Sequence, residues 1–413
     1  MTTSDAPEAV WAARYQDALN PAAYITCLHC GVRTDTRAPF WGCQVCGQNA
    51  PLKIDYADVL ESECSPLAAV ARARSAYSLF LPQANLTQLD APTPLTHAPA
   101  LGPNVYLKQE TFSQTHSHKD RYQSIASRMA RLSGAQGVVA SSTGNHGVSA
   151  AAHAAMVGLP SVVFCHPDAP KGLLGAIGAF GGEVAQLTAD EQRPALIELV
   201  QDGWFPATSL DPILTGAANP YAAEGYKAVA WEIVEQLAGL PDAVFIPTAG
   251  GDTYYGIAKG LAEITRLANA AMPTVYAVQP DGANALSQSL AAGQQVTLEA
   301  PESIALSIAD AQSGRHALAV IAKWHGRVAD VPEIAIRTAV IDLAQLGIYT
   351  DPASAAALAG YRQAVSNGEL DPAAITVLLL TSSGFKWPAA MEAIFPPRSA
   401  RSLAELRARL AGR

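Results

Sequence analysis

Short apolar segments alternate with helical segments through most of this chain, and this alternation constrains the fold more than any other feature. The apolar segments are hydrophobic at successive positions, which is typical of strands that helices cover on both faces of a parallel sheet. The sequence therefore predicts an α/β fold with parallel sheets. Predicted strands lie at 161–165, 183–187, 243–247 and 274–279, and predicted helices at 172–180, 189–201, 224–237 and 254–268.

The composition narrows the function classes. The chain has 413 residues, 49% of them hydrophobic, and a net charge of −9. Excess negative charge disfavours a nucleic acid or an anionic membrane surface as a partner. No apolar run approaches the ~20 residues of a membrane-spanning helix, and the first residues lack the basic and apolar regions of a signal peptide. We therefore expect a cytoplasmic enzyme with a small-molecule substrate and no nucleic-acid or membrane partner.

Two motifs suggest a reactive lysine beside an anion-binding turn. Lys119 follows Ser117 and His118 at the start of a predicted helix, and the segment 141–147, Ser-Ser-Thr-Gly-Asn-His-Gly, links a strand to an Ala-rich helix. Helix N-termini bind carboxylates and phosphates, and a lysine in a dry cleft can form a Schiff base with an aldehyde. Taken alone, the first motif also fits a solvated surface lysine, and the second an ordinary loop.

Two further motifs favour the catalytic interpretation. Pro247-Thr-Ala-Gly-Gly-Asp-Thr253 joins a predicted strand to a helix, where backbone N–H groups can close on a phosphate. It is not Gly-x-Gly-x-x-Gly, so a nicotinamide dinucleotide is disfavoured. Leu380-Thr-Ser-Ser-Gly384 ends a buried strand, at the edge of the sheet where open α/β folds bind ligands.

Four cysteines near the N-terminus form a candidate metal site. Cys27 and Cys30 make one Cys-x-x-Cys-Gly knuckle, and Cys43 and Cys46 make a second. This is the usual arrangement of a tetrahedral zinc ribbon. Two redox pairs, or disulfides in an oxidising compartment, are the alternatives. We expect a structural zinc ion, remote from the chemistry.

The order of these motifs resembles the pyridoxal-phosphate enzymes of the tryptophan synthase β type, fold type II, and within them most closely the threonine synthases. Residues 219–227, Asn-Pro-Tyr-Ala-Ala-Glu-Gly-Tyr-Lys, are similar to that family's Asn-Pro-x-Arg-x-Glu-Gly-Gln-Lys. Residues 347–355, Gly-Ile-Tyr-Thr-Asp-Pro-Ala-Ser-Ala, are similar to its Gly-x-x-x-Glu-Pro-Ala-Ser-Ala. The resemblance covers nearly the whole chain in the same order.

The resemblance implies how a cofactor would be held. Lys119 would form the Schiff base with pyridoxal 5'-phosphate and move the substrate's α-proton. Asn145 would bond the 3-oxygen of the cofactor, and Thr381 would meet its pyridine nitrogen. A neutral hydroxyl at that nitrogen suits elimination chemistry. The cofactor phosphate would lie in the turn formed by Ala249, Gly250, Gly251, Asp252 and Thr253.

The resemblance also implies a substrate site. The carboxylate of an amino acid would bind at the second motif, and the histidines beside Lys119 are candidate proton relays near neutral pH. Packing or solvent contact is the alternative for both histidines. The residues concerned are Ser142, Thr143, Gly144 and His146 for the carboxylate, and His116 and His118 for the relay.

Two departures from the family pattern bear on the substrate. Ala222 stands where the family has the arginine that grips the substrate phosphate, and His146 replaces a threonine, as in serine and threonine dehydratases. We therefore expect a carbon–oxygen or carbon–nitrogen lyase that eliminates, with or without replacement, at the β- or γ-carbon of an amino acid. Threonine synthase acting on O-phosphohomoserine, a dehydratase-type ammonia-lyase and a catalytically silent relative remain alternatives.

The expected organisation has two interleaved lobes, because no linker or repeat divides the chain into successive halves. We predict a zinc ribbon with an N-terminal arm at 1–55 and a large cofactor-binding lobe at 56–120 plus 236–398. A small mobile lobe is predicted at 121–235, and a C-terminal helix at 399–413. We also expect a homodimer.

Overall fold

Three sheets organise the computed structural model, which describes residues 23–35, 42–47, 50–56, 64–80, 91–142, 144–208, 219–396, 399 and 402–411. The strands in chain order are β1 (Ala23–Cys27), β2 (Arg33–Asp35), β3 (Leu52–Tyr56), β4 (Leu95–His97), β5 (Val105–Gln109), β6 (Val138–Ser141), β7 (Ser161–Cys165), β8 (Glu183–Gln186), β9 (Phe205–Pro206), β10 (Ala243–Pro247), β11 (Thr274–Pro280), β12 (Arg327–Val331) and β13 (Thr376–Leu380).

Helices follow most of these strands. They are α1 (Pro66–Phe80), α2 (Lys119–Leu132), α3 (Asn145–Met156), α4 (Lys171–Ala179), α5 (Ala189–Gln201), α6 (Pro220–Ala223), α7 (Lys227–Leu237), α8 (Asp252–Leu267), α9 (Ala285–Ala292), α10 (Arg315–Lys323), α11 (Glu333–Gln345), α12 (Pro352–Ser366), α13 (Pro388–Ile394) and α14 (Leu403–Ala411). Of the helices described, none is long and apolar enough to cross a membrane.

The largest sheet has the strand order β12-β11-β10-β13-β5-β4, and every pairing except β4 with β5 is parallel. Its central strands β10 and β13 are buried along their whole length. Their sequences, Ala-Val-Phe-Ile-Pro and Thr-Val-Leu-Leu-Leu, contain the β-branched and large apolar residues that suit a strand covered on both faces. The predicted parallel α/β fold is confirmed.

The second sheet, β8-β7-β6-β9, is parallel throughout and comes from residues 138–206. Both β5 and β13 of the large sheet lie outside that range, so the two sheets interleave in sequence. The third sheet, β2-β1-β3, is antiparallel and carries the cysteine knuckles.

Element boundaries differ from the predicted ones by a few residues. The helix predicted at 254–268 begins at Asp252, so the Gly-rich turn leads directly into it. The helix predicted at 224–237 begins at Lys227, because residues 224–226 form a 3-10 turn. The edge strand β12 and the two-residue strand β9 were not predicted, since neither is a long apolar run.

Candidate functional site

Lys119 is the first residue of α2, and its ammonium meets the Gly-rich turn. Lys119 Nζ lies 3.3 Å from Oδ2 of Asp252, which is the first residue of α8. The Tyr226 hydroxyl donates to the same Asp252 oxygen at 3.1 Å, and Nζ lies 5.8 Å from the centre of the Tyr226 ring. The fold thus brings the lysine motif and the Gly-rich turn together and adds Tyr226 to them.

Asp252 is buried in this contact, yet it stays ionised. Burial is the largest single influence and would raise the pKa of its carboxyl, but Lys119, His118, His146 and the Thr253 N–H together lower that pKa below its usual value. Asp252 therefore presents a fixed negative charge to the lysine.

His118 fixes the lysine segment to the end of β13. Its backbone N–H and its ring Nδ1 both approach Thr381 O, at 2.8 and 3.0 Å. Since a carbonyl can only accept, Nδ1 carries the hydrogen. Burial, with the nearby Lys119 charge, lowers the pKa of His118 to about 3, so the ring is neutral near pH 7. This geometry favours a positioning role; the proton relay predicted for His118 remains a prediction.

His116 has a left-handed backbone, with φ of 59°, and an exposed side chain. Its ring Nδ1 lies 3.1 Å from Thr111 O, and its carbonyl accepts from the Ser383 N–H at 3.1 Å. His116 thus shapes the loop before Lys119. Its predicted catalytic role stays a prediction.

The second and fourth motifs meet through Asn145 and Ser382. Asn145 Nδ2 donates to Ser382 Oγ at 3.0 Å, while the buried Oδ1 has no hydrogen-bond partner within the described chain. Beside them, Thr381 Oγ1 lies 2.9 Å from Oγ of Ser354 on α12. The residues predicted to bond the cofactor's 3-oxygen and ring nitrogen therefore lie on adjacent parts of one site.

His146 is buried next to Asn145 at the start of α3. Its Nε2 lies 2.5 Å from Ala207 O and 2.7 Å from Gln123 Nε2, whereas Nδ1 is buried without a partner among the described residues. Burial, followed by the Lys119 charge, lowers the pKa of His146 to about 4. One ring nitrogen is therefore engaged by the protein, and the other is left for a ligand.

The rest of the predicted carboxylate site is a tight turn. The Gly144 N–H donates to Ser142 Oγ at 3.2 Å. A β-carbon on Gly144 would lie 3.2 Å from the indole of Trp387, which thus covers the turn. Thr143 lies outside the described residues.

The Gly-rich turn leaves room only for glycine at Gly251. Gly251 has φ of 89°, and a β-carbon there would lie 2.3 Å from Cβ of Ala317 on α10. The turn is held by the Gly314 N–H, which donates to Gly250 O at 2.7 Å. The backbone N–H groups in the first turn of α8 lack the carbonyl partners of later turns, an arrangement that can bind a phosphate, and the Thr253 N–H also interacts with the Asp252 carboxylate.

Asp310 lies on the segment before Gly314, and sequence reasoning did not single out this segment. The Asp310 side chain is exposed, and the segment is joined to the Gly-rich turn by the Gly314 N–H, which donates to Gly250 O at 2.7 Å. No sequence pattern marks this approach, because only tertiary packing brings the segment to the turn.

The four cysteine sulfurs converge as predicted. All four Sγ atoms lie within 4.8 Å of one another, with Cys30 and Cys43 at 3.6 Å and Cys27 and Cys46 at 4.0 Å. A tetrahedral zinc with Zn–S bonds of about 2.3 Å would place its sulfurs ~3.8 Å apart. The N–H groups of His29 and Val45 donate to Cys27 and Cys43, both at 3.3 Å.

This cysteine unit is anchored to the main body. His316 of α10 donates through Nε2 to Leu52 O at 2.6 Å, and Lys259 of α8 bonds to Ile54 O. Both acceptors belong to β3. The unit therefore rests on the two helices that frame the Gly-rich turn.

Comparison with known proteins identifies relatives of this chain. The chain is 30% identical over 326 residues to a threonine synthase of Halalkalibacterium halodurans, covering 76% of this chain and 88% of that protein. It is 33% identical over 309 residues to a biosynthetic L-threonine dehydratase of Mycobacterium bovis, covering 71% and 68%. The fold matches a threonine deaminase from Solanum lycopersicum with a TM-score of 0.66 at 22% identity, covering 80% of this chain and 91% of that one.

The family model described as "Pyridoxal-phosphate dependent enzyme" matches residues 86–382, which include the first three motifs and the start of the fourth. The chain belongs to this family, as a threonine synthase-like member of fold type II.

Proposed function

We propose that this enzyme eliminates a group from the β- or γ-carbon of an amino acid, with or without replacement, by pyridoxal-phosphate chemistry at Lys119. The observation that carries the proposal is the contact of Lys119 Nζ with the first residue of α8, 3.3 Å from Asp252 Oδ2. A lysine there lies beside a helix N-terminus that suits the cofactor phosphate. It also lies on the same segment as His118, which is bonded to the end of β13.

The residues present fit the cofactor. The N-terminal end of α8 and the glycine-only position 251 suit its phosphate, and the Oδ1 of buried Asn145, unpartnered among the described residues, suits a polar ligand atom. When bound, pyridoxal phosphate supplies an aldehyde for Lys119 and a ring that takes up electrons released at the α-carbon. Thr381 would face the ring nitrogen with a neutral hydroxyl.

The chain's own residues would transfer the α-proton, position Lys119 and bind the substrate. Lys119 Nζ removes the α-proton, and the ionised Asp252 holds that amine in place. His118 fixes the segment by its two bonds to Thr381 O. Ser142, Thr143, Gly144 and His146 would bind the substrate carboxylate, and Trp387 would shield it from water. Because the Ala207 carbonyl can only accept, the neutral His146 ring carries its hydrogen on Nε2, and its unpartnered Nδ1 would accept a hydrogen bond from a ligand, so the donors to the carboxylate would be the hydroxyl and N–H groups of the turn.

The substrate would lack a phosphate ester. Ala222, at the place of the family's phosphate-gripping arginine, is wholly buried in the core. A phosphate dianion bound without charge-assisted hydrogen bonds would lose ~1.5–3 kcal/mol for each one missing. We therefore expect poor turnover of O-phosphohomoserine. The absence of an arginine at position 222 thus disfavours threonine synthase activity and favours ammonia-lyase activity. The Asn145-His146 pair also supports an ammonia-lyase.

A spectroscopic screen tests the proposal. The purified enzyme, loaded with pyridoxal phosphate, should show a visible absorbance band that borohydride removes and that amino-acid substrates shift. Serine, threonine, homoserine and O-phosphohomoserine should be compared side by side for release of 2-oxo acid, threonine and ammonia. Efficient threonine formation from O-phosphohomoserine would refute the substrate assignment, and no change with any amino acid would refute the function.

Three further expectations belong to this proposal. We propose one structural zinc on Cys27, Cys30, Cys43 and Cys46, which the convergence of their sulfurs supports. We propose that residues 121–235 move as a lobe against 56–120 plus 236–398, which hydrogen exchange with and without substrate would test. We also expect a homodimer, and light scattering of the purified protein would give its mass.

A further inference from the structure

Residues 313–317, which include the start of helix α10, run beside the Gly-rich turn. Ser313 Oγ donates to Ala249 O at 3.2 Å, and the Gly314 N–H donates to Gly250 O at 2.7 Å. Ser313 is fully buried, so solvent cannot compete for the first of these bonds. Two backbone carbonyls of the turn are thus held by one neighbouring segment.

The same segment packs against the next position of the turn. Gly251 has a left-handed backbone, with φ of 89°, and a β-carbon there would lie 2.3 Å from Cβ of Ala317. No side chain fits between α10 and the turn at this point. The start of α10 therefore sets how closely the turn approaches it, and with that the position of the N–H groups that α8 presents to a phosphate.

His316 connects this segment to the cysteine unit. Its Nε2 donates to Leu52 O of β3 at 2.6 Å, and the centre of its ring lies 4.7 Å from that of Tyr255 on α8. His316 and Tyr255 are both buried. One side chain thus contacts both a strand of the cysteine unit and the helix that follows the Gly-rich turn. Its neighbours Gly314 and Ala317 touch the turn itself.

We propose that the 313–317 segment positions the Gly-rich turn for the cofactor phosphate, and that His316 is the positioning residue that anchors this segment to the cysteine unit. The proposal rests on the proposed function, since it takes the turn as the phosphate site. Without the bond to Leu52 O, the segment would still touch the turn but would lose its fixed support. The turn would then be less well preorganised for a phosphate.

The test compares pyridoxal phosphate with pyridoxal, which offers Lys119 the same aldehyde but has no phosphate. His316→Leu keeps an apolar side chain of similar bulk and removes the donor. Its dissociation constant for pyridoxal phosphate, from titration of the visible absorbance, should rise ~3–10-fold, the range for one lost hydrogen bond. The dissociation constant for pyridoxal should change less than about twofold.

Two further variants separate positioning from a general loss of stability. His316→Gln keeps a side-chain N–H that can donate to the same carbonyl, so both dissociation constants should return to within about twofold of the wild type. Val320→Ala opens a cavity at a buried position one turn further along α10. It should lower Tm without changing the ratio of the two dissociation constants. A structural role alone would make His316→Leu resemble Val320→Ala.

Ser313→Ala tests the same segment by a smaller change, and it decides the matter where His316→Leu does not fold. It removes the hydroxyl that donates to Ala249 O. The dissociation constant for pyridoxal phosphate should again rise more than that for pyridoxal. An unchanged ratio would overturn the positioning role of the segment, and with it that of His316.

The outcomes distinguish this proposal from the proposed function. Equal weakening of both ligands by His316→Leu, or no weakening of either, would overturn the positioning role while leaving the elimination function intact. Failure of His316→Gln to restore tight binding of pyridoxal phosphate would overturn it as well. A wild-type protein that binds neither ligand and turns over no amino acid would instead overturn the proposed function, and the positioning role with it.

Discussion

Arg121 Nη1 lies 2.7 Å from Glu232 Oε1, and both side chains are buried. Arg121 also contacts Glu110 at 2.9 Å, and Lys108 contacts Glu232 at 2.6 Å, so two cations and two carboxylates balance inside the core. Arg121 and Glu232 lie at the two places where the chain is predicted to pass between lobes. The buried ion pairs therefore link these two places to each other. Through Lys108 they also link them to strand β5 of the large sheet.

Breaking this network should be far more costly than breaking a surface pair of the same chemistry. Arg121→Ala leaves buried carboxylates uncompensated and should lower the free energy of unfolding by ~3–5 kcal/mol. Arg362, whose pairing with Asp342 at 2.6 Å is 41% and 31% exposed, is the matched control. Arg362→Ala should cost less than ~1 kcal/mol. Urea titration measures both, and equal costs would contradict the assignment.

Lys119→Ala should abolish elimination and remove the borohydride-sensitive absorbance. The fold should persist, because the Lys119 side chain is partly exposed and its ion pair with Asp252 is long, at 3.3 Å. Mass spectrometry of the reduced wild-type enzyme should find the cofactor on the peptide that contains Lys119. Lys171→Ala, at an exposed helix start, should behave like the wild type. Labelling of a different lysine would disprove the assignment.

Gly251→Ala should weaken cofactor binding and stability together. The new β-carbon would meet Ala317 Cβ at 2.3 Å and would sit on a left-handed backbone, a strain of ~1–3 kcal/mol. Gly172→Ala is the control, since no atom lies within 4 Å of its added β-carbon and it lies in helix α4. That variant should be neutral or gain up to ~1 kcal/mol. The cofactor dissociation constant and Tm are the measurements, and an unaffected Gly251→Ala would show that the turn is looser than described.

Acid should destabilise the protein through its buried histidines. The pKa is lowered to about 3 in His118 and about 4 in His146 and His316, with burial as the main cause. These rings stay neutral in the folded state, whereas an unfolded chain protonates them near ~6.5. Stability present above pH ~6.5 is therefore lost as the pH falls towards 4, by ~1.4 kcal/mol per pH unit for each histidine.

His316→Gln tests this dependence outside the catalytic site. Between pH ~7 and ~5, the free energy of unfolding should fall less steeply with pH in the variant. The difference in slope should correspond to about one fewer proton taken up on unfolding. An unchanged slope would mean that His316 is already charged in the folded protein. His97→Gln, with an exposed ring, is the control and should keep the wild-type slope.

Metal analysis should find one zinc per chain. Cys46→Ser removes one of four converging thiolates and should abolish tight binding, whereas Cys64→Ser should retain it, because Cys64 bonds to Leu267 O instead. Loss of zinc should lower Tm, since β3 is bonded to His316 and Lys259. A zinc-free protein with unchanged stability would favour a redox role for the cysteines.

The sequence was sufficient for the features that depend on local pattern. Buried strands such as β10 can be predicted from their runs of apolar residues. The Gly-rich turn and Lys119 can be predicted from residue type and spacing. The edge strand β12, Arg-Val-Ala-Asp-Val, has no such signature because it is only partly buried. Its place is set by pairing with β11.

Contacts between distant segments could not be predicted in the same way. Tyr226 was expected within a helix, and nothing in the sequence shows that its hydroxyl reaches Asp252. Gln123 and Gly314 likewise acquire their neighbours only through tertiary packing. Conversely, the histidines flanking Lys119 were expected to be proton relays because of an ordinary imidazole pKa. Burial, which a sequence does not display, changes that property in His118.

The bonds from His118 to Thr381 O join residues 263 positions apart, and Ser117 pairs with Ser382 beside them. Lys119 therefore emerges from the ribosome long before the strand that fixes its segment. At about 5–20 residues per second, the nascent chain would carry an unanchored lysine loop for roughly 13–50 s. A chain terminated before β13 would contain the lysine but not the anchor. Completion of the reactive site thus waits for nearly complete synthesis, so unfinished chains would not expose an assembled aldehyde-binding centre.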